Sequence, residues 1–314
     1  MALPKDSRVL FVGLGTMGLP MASNLVRAGF AVQGMDTSRA AVTAFCSAGG
    51  REASAGASAA DEVAVIVTML PDDKIVRQVL DGEGGLISAA RPGALVVEMS
   101  TTAPATKIAL AKLARARGVD FIECPVGRTM EHAIAGTLSL MAAGNVALIE
   151  KARPLLMAMG SELHLCGDIG AGSAIKLINN ALVAAVNAAS IEALIAGRKA
   201  NLDLQTIFSV LKTTMAWNNA LATGLPKKAL RRDFKPGFMT KLQHKDVGLA
   251  LEMASELGAP MRLGRAAYDI LGKALETGFG ADDGSGSMLR VCEAESGVTL
   301  TLENGAGSPD IGKP

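Results

Sequence analysis

The sequence predicts two parts of different class, an N-terminal α/β part built on a doubly wound parallel sheet and an all-α C-terminal domain. Three observations carry this. Across residues 8–165 short β-type runs alternate with helix-type segments, the order that generates parallel sheet through βαβ crossovers. Several of these runs, VAVIVTML and ALVVEM among them, are apolar throughout rather than alternating, as strands covered by helices on both faces are. From about Gly170 the strand pattern stops and long helical patterns take over.

Taken in order, the strand candidates are Arg8–Leu14, Ala31–Asp36, Val63–Leu70, Ala94–Met99, Val119–Cys124, Thr137–Ala143 and Ser161–Leu165. Helices are expected after Gly15, Ser38, Asp72, Pro104 and Asn145, several with a Ser, Asp or Asn placed to cap the first turn. In the second part the helical patterns are Ala174–Ala200, Asp203–Thr213, Ala216–Thr223, Thr240–Leu257, Met261–Thr277 and a short stretch around Met288–Glu295. The first of these has few polar interruptions and is expected to be buried nearly all round as a central helix. Lys176, Asn179 and Asn180, polar residues near its start, then need a reason to be there. The expected divisions are 1–168, 169–299 and a flexible tail over 300–314.

A chain of 314 residues suits two domains and can bury a substantial core. With 31 Lys and Arg against 30 Asp and Glu, the net charge is +1, and aromatics are 3%, so neither phosphate neutralisation nor base stacking is provided for. Nucleic acid and membrane surfaces are therefore not expected as partners. Cys46, Cys124, Cys166 and Cys292 form no C-x-x-C pair, and no histidine lies at ligand spacing from a cysteine, so no metal site is expected. No signal-type apolar region precedes the first glycine-rich turn, and a reduced, cytoplasmic, soluble protein is expected.

The first chemistry-bearing motif is Gly13-Leu14-Gly15-Thr16-Met17-Gly18, placed between the strand VLFV and a helix. Gly13 allows the tight turn, Gly15 lets backbone approach a pyrophosphate, and Gly18 lets helix and strand pack closely, leaving helix N-terminal amides aimed at the phosphates. The second strand ends at Asp36, 18 residues past Gly18. A carboxylate there accepts hydrogen bonds from ribose hydroxyls and repels a 2′-phosphate, which favours NAD over NADP, although Arg39 lies close enough to soften the preference.

The stretch FVGLGTMGLPMASNLVRAG resembles the opening signature of the β-hydroxyacid dehydrogenases, the group that includes 3-hydroxyisobutyrate dehydrogenase. TMLPDD, GAGSAIKLINN and KLQHKDVGLALEMASELGAPM agree with the same family in order and spacing, so the resemblance spans about residues 8 to 297. It implies a Rossmann domain, an all-helical second domain, an active site in the cleft between them and a homo-dimer or homo-tetramer. It also implies Lys176 as the catalytic residue. Chemistry agrees, because hydride addition to an aldehyde develops negative charge on oxygen, which an ammonium can stabilise and then protonate. Asn180, one helical turn on, would hold the lysine or the substrate hydroxyl. By the same resemblance Met69, Leu70 and Pro71 lie along the cofactor, Thr101 approaches the nicotinamide end, and Lys245 stands near cofactor and substrate with Asp246 beside it.

One loop departs from the family pattern. Where most members carry Ser-Gly-Gly after the fifth strand, this chain has Gly127, Arg128 and Thr129 in PVGRT, with His132 replacing a later glycine. An arginine there offers a planar fork of donors for an oxyanion. This form, with LLMAMGSELH after it, resembles the sulfolactaldehyde reductase branch of the family. That implies reduction of 3-sulfolactaldehyde to 2,3-dihydroxypropane-1-sulfonate with NADH, Arg128 on the sulfonate and Thr129 and Asn180 assisting. The competing expectations are a 3-hydroxyisobutyrate dehydrogenase or another carboxylate-semialdehyde reductase, acting on tartronate or succinate semialdehyde, and, from a different class, a cofactor-binding module without catalysis. The last predicts loss of the lysine, which is present.

Overall fold

In the computed structural model, which describes residues 2–54 and 56–302, the apolar strands sort their side chains to two faces. In β1 (Arg8–Val12), Val9 and Phe11 enter one core with Met21 and Leu25 of α1 (Gly18–Arg27), whereas Leu10 and Val12 enter another with Val76 and Leu80. The same division separates Val65 and Val67 from Ile66 in β4 (Val65–Thr68), and Leu95 and Val97 from Val96 in β5 (Leu95–Glu98). Both faces are dry, so unbroken apolar runs are the correct strand code.

With β2 (Ala31–Met35), β3 (Arg51–Glu52) and β6 (Asp120–Glu123), these strands form one parallel sheet in the order β3-β2-β1-β4-β5-β6. The order reverses between β1 and β4, the switch point where ligands bind in such sheets. The helices expected after Ser38, Asp72 and Asn145 begin there: α2 (Arg39–Ser47), α3 (Asp73–Leu80) and, further on, α7 (Val146–Met159). Each of the three residues caps its helix with its side-chain oxygen. Between α3 and α7 lie α4 (Leu86–Ala89), α5 (Pro104–Ala116) and α6 (Met130–Ala135).

The last two strand candidates of this part do not extend the main sheet. They are β8 (Leu138–Ala142) and β9 (Gly160–Leu165), which pair in parallel and make a second, three-stranded sheet with β7 (Val126–Gly127). The reason is connectivity, because β6 passes through Cys124 and Pro125 into β7 with no crossover helix, and β7 then runs antiparallel to β8. A bridge from Glu123 to Ala143 fastens this small sheet to β6.

The described residues form two compact units that divide after Lys176, inside α8 (Ala171–Lys199). The second unit is helical: the rest of α8, α9 (Leu204–Leu211), the short α10 (Leu225–Lys227), α11 (Thr240–Glu256), α12 (Arg262–Glu276) and α13 (Gly284–Ser296). Its core joins Ala184, Ile191 and Leu194 of α8 to Phe208, Val247, Leu271 and Met288. Two expectations are corrected here. Residues 216–223 are not a regular helix, because the Asn218 side chain accepts the Ala220 and Leu221 N–H groups and only a π-helical turn over Ala220–Gly224 follows. Nor is α8 buried all round: Ile175, Ile178, Leu182 and Val183 form an exposed stripe. Among the described residues α8 is the helix whose length and mean hydropathy reach those of a membrane span, and 44% of its most apolar stretch is buried within the fold. Leu300 and Leu302, at the start of the expected tail, are buried in the second core; the rest of that tail, 303–314, lies outside the described residues.

Candidate functional site

The turn after β1 is built by close approach. A Cβ on Gly13, whose φ is +95°, would stand 2.2 Å from the Met69 carbonyl oxygen, and one on Gly18 would stand 1.8 Å from that of Gly13. Gly15 differs, because a Cβ there meets nothing within 4 Å. Two glycines thus close the turn against protein while the third faces open space. That is the cradle a pyrophosphate needs, and a side chain at 15 would fill it. Leu14, Thr16 and Met17 supply its remaining backbone.

Asp36, at the end of β2, is fixed beside this turn. Its Oδ2 accepts the Leu14 N–H at 2.6 Å and its Oδ1 the Ser38 N–H at 2.7 Å, which aims the carboxylate and leaves lone pairs for ribose hydroxyls. Arg39, the residue with potential to attract a 2′-phosphate, pairs with Glu52 instead. The residues present therefore fit a nicotinamide dinucleotide. Met69, Leu70 and Pro71 leave β4 next to the turn, with the Met69 N–H bonded to the Val12 carbonyl. Thr101 follows Ser100, whose hydroxyl accepts the Leu70 N–H at 2.8 Å. The structure thus brings all the cofactor candidates of the first unit together.

In the loop after β6, Gly127 lies in β7 and Arg128 adopts a φ of +78°, a left-handed backbone at the position where the family pattern has glycine. The Arg128 guanidinium turns toward β9, donating from Nη1 to the Thr137 carbonyl at 2.7 Å and to Ser161 Oγ at 3.2 Å, and from Nη2 to Glu162 Oε1 at 2.5 Å. Its acidic partner is thus Glu162, on β9, rather than Glu123 or Glu131, which lie nearer in the sequence. Thr129 does not cap α6 with its side chain; its hydroxyl bonds His132 Nδ1 at 2.9 Å.

Lys176 stands in the second turn of α8, and the start of that helix is anchored by a residue the motif reading missed. The fully buried Glu123 carboxylate accepts the N–H groups of Gly170, Gly172 and Ser173, at 2.5, 3.2 and 3.1 Å, and the Ser173 hydroxyl at 2.5 Å. The available signal was an acid at the end of a strand and a helix whose first turn holds no acid of its own.

In the second unit, the buried Asp246 joins two candidates. Asn180 Nδ2 donates to its Oδ2 at 2.6 Å, and Lys245 Nζ lies 2.8 Å from its Oδ1. The Asn180 carbonyl oxygen accepts from Asn179 at 3.0 Å, so its amide is held from both sides. His244, next in chain to Lys245, stacks on Tyr268 with ring centroids 3.9 Å apart, and burial lowers its pKa against the opposing pull of Asp269. Among the described residues no three His, Cys, Asp or Glu side chains group to hold a metal.

Residues 8–167 match the NAD-binding domain of 6-phosphogluconate dehydrogenase, and residues 170–292 match the NAD-binding domain of NADP-dependent 3-hydroxyisobutyrate dehydrogenase. The chain belongs to the β-hydroxyacid dehydrogenase family. As a member of that family it is a nicotinamide-dependent dehydrogenase or reductase acting on CH–OH groups. It is 40% identical over 295 residues to the 3-sulfolactaldehyde reductase of Escherichia coli strain K12, covering 94% of this chain and 99% of that one. It is 34% identical over 299 residues to the 2-(hydroxymethyl)glutarate dehydrogenase of Eubacterium barkeri, covering 95% and 99%. Among solved structures, the Mycobacterium tuberculosis 3-hydroxyisobutyrate dehydrogenase with L-serine superposes with a TM-score of 0.84 at 32% identity, covering 91% of this chain and 99% of that one.

Proposed function

We propose that this β-hydroxyacid dehydrogenase is an NADH-dependent reductase of a small anionic aldehyde, 3-sulfolactaldehyde in the first place, giving 2,3-dihydroxypropane-1-sulfonate. The observation that carries the reading is the Gly127-Arg128-Thr129 loop, which stands in place of Ser-Gly-Gly in a chain 40% identical to a 3-sulfolactaldehyde reductase. Bound NADH supplies the hydride that reaches the carbonyl carbon. Lys176 stabilises the negative charge developing on the aldehyde oxygen and gives that oxygen a proton from Nζ, after which the amine takes a proton from solvent. Asn180, its amide held by Asp246 and Asn179, retains an N–H for the substrate hydroxyl, and Lys245 adds positive charge through the same carboxylate. Thr129 and Arg128 meet the anionic end. Asp36 disfavours a 2′-phosphate, so NADH is the working cofactor.

A second reading, a carboxylate-semialdehyde reductase, is favoured by one observation. The Arg128 guanidinium is shared with Glu162, which weakens it as a dedicated sulfonate clamp. The proposal also includes a homo-oligomer, supported by the apolar stripe on α8, and a cytoplasmic setting, supported by Cys46, Cys124, Cys166 and Cys292 all being free thiols.

The deciding experiment compares initial rates with NADH and NADPH on 3-sulfolactaldehyde and on methylmalonate, tartronate and succinate semialdehydes. A preference of about 100-fold in kcat/KM for the sulfonate, roughly 2.7 kcal/mol of transition-state binding, supports the first reading. Equal or better rates with a carboxylate transfer the assignment to the second.

A further inference from the structure

The segments Gly13–Gly18, Met69–Pro71 and Thr101 leave the carboxyl ends of β1, β4 and β5, where Val12 lies beside Thr68 and Thr68 beside Glu98. Beneath them is an ion pair that no motif announces. Glu98, the last residue of β5, and Lys107, in the first turn of α5, are both fully buried and in contact. Lys107 Nζ also donates to the Ser100 carbonyl at 2.9 Å. Glu98 Oε1 accepts the Ser100 N–H at 3.0 Å and the Thr68 hydroxyl at 3.2 Å. Ser100, held at both its backbone groups, turns its own hydroxyl to accept the Leu70 N–H at 2.8 Å. Met69, one residue back, places its carbonyl oxygen against Gly13. One buried pair thus reaches residues of all three loops.

Stability alone is a poor reason for such a pair. Taking two charges out of water offsets much of their attraction, and apolar residues of similar volume often serve as well. Apolar residues cannot, however, bond the N–H and carbonyl of Ser100 together and so direct its hydroxyl. We infer that Glu98 and Lys107 are positioning residues for the dinucleotide: acting through Ser100 and Leu70, they set the backbone of 68–71 and 99–101 on which the nicotinamide half rests. The inference rests on reading those loops as cofactor contacts.

The test is NADH binding by fluorescence titration of the full chain, with thermal unfolding alongside. Ser100→Ala cuts the link to Leu70 and leaves the ion pair. The double variant Glu98→Leu/Lys107→Met removes both charges and keeps their volume. Thr101→Val reports on the loop itself. The Kd for NADH is expected to rise at least about tenfold in Ser100→Ala and in the double variant. Ser100→Ala should unfold within about 3 °C of the parent. A purely structural pair would shift the unfolding temperature of the double variant and leave its NADH affinity alone. If the double variant does not fold, Ser100→Ala decides. Unchanged NADH affinity in Ser100→Ala with weakened affinity in Thr101→Val overturns the positioning role and keeps the loop reading. Unchanged affinity in both overturns the two together.

Discussion

At Arg128 a left-handed backbone, a guanidinium and a neighbouring carboxylate meet in one loop. A non-glycine residue at a φ of +78° carries strain on the order of 1–2 kcal/mol, which the bonds to Thr137, Ser161 and Glu162 offset. The backbone therefore keeps the glycine-type path of the family loop while the side chain adds charge beside it. If that charge meets the substrate anion, Arg128→Ala should raise KM for the anionic aldehyde by roughly 10–100-fold and leave KM for NADH within about twofold. Glu162→Gln should then lower the aldehyde KM, because the guanidinium loses its competing carboxylate. Equal changes in both KM values on Arg128→Ala remove Arg128 from the substrate. Lys176 makes a different demand, since a proton donor acts in the transition state. Lys176→Ala should cut kcat by about 10²–10⁴ with NADH titration unchanged, and a kcat within about tenfold of the parent would reassign the proton.

The element that carries Lys176 depends on a residue far away in sequence. Three backbone hydrogen bonds into Glu123, with a fourth from the Ser173 hydroxyl, satisfy amides at the start of α8, and a carboxylate at a helix N-terminus also complements the helix dipole. Glu123→Ala leaves those amides buried and unpaired, so a loss of about 2–4 kcal/mol in unfolding free energy is expected. Faster hydrogen exchange should be confined first to the amides of 170–176; uniform exchange across the first unit would show that Glu123 acts on the fold and not on this helix end. Such long-range partners mark the limit of what the sequence discloses. Five strands of the main sheet, the caps at Ser38, Asp72 and Asn145 and the turn from Gly13 to Gly18 were legible because each depends on neighbours a few residues away, whereas β3 was missed because its two exposed residues, Arg51 and Glu52, carry no apolar run. Of the small sheet, β8 and β9 were legible as strands but their separation from the main sheet was not, since β7 has two residues and its pairing is decided by Pro125 and the lack of a crossover helix. Glu98, Lys107, Glu123 and Glu162 were equally hidden, because a charged residue in sequence reads as solvated until the fold supplies its partner.

On the scale of the whole chain, two features cross both units. The exposed stripe of Ile175, Ile178, Leu182 and Val183 belongs to the proposed oligomer, and Leu182→Lys should lower the mass seen by analytical ultracentrifugation; a parent protein that sediments as a monomer would remove that proposal. The second feature is thiol burial. Cys124 lies in the first core and Cys292 in the second. Burial is the main cause that raises both pKa values; Cys292 moves from 9.0 to about 11 and Cys124 moves further in the same direction. An acid whose pKa rises on folding is more protonated folded than unfolded, so its contribution is fully present below pH 9 and is lost as pH climbs through the folded value. Stability should therefore fall between about pH 9 and 11. Because lysines and tyrosine titrate nearby, the parent is best compared with Cys292→Ala across that range. The stability advantage of the parent should be constant below pH 9 and shrink above it, by at most about 1.4 kcal/mol per pH unit, less for the water that reaches this thiol. Parallel curves up to pH 11 would mean that Cys292 ionises as readily in the folded chain as in the unfolded one, and that the second core is open to hydroxide and water at its α13 side.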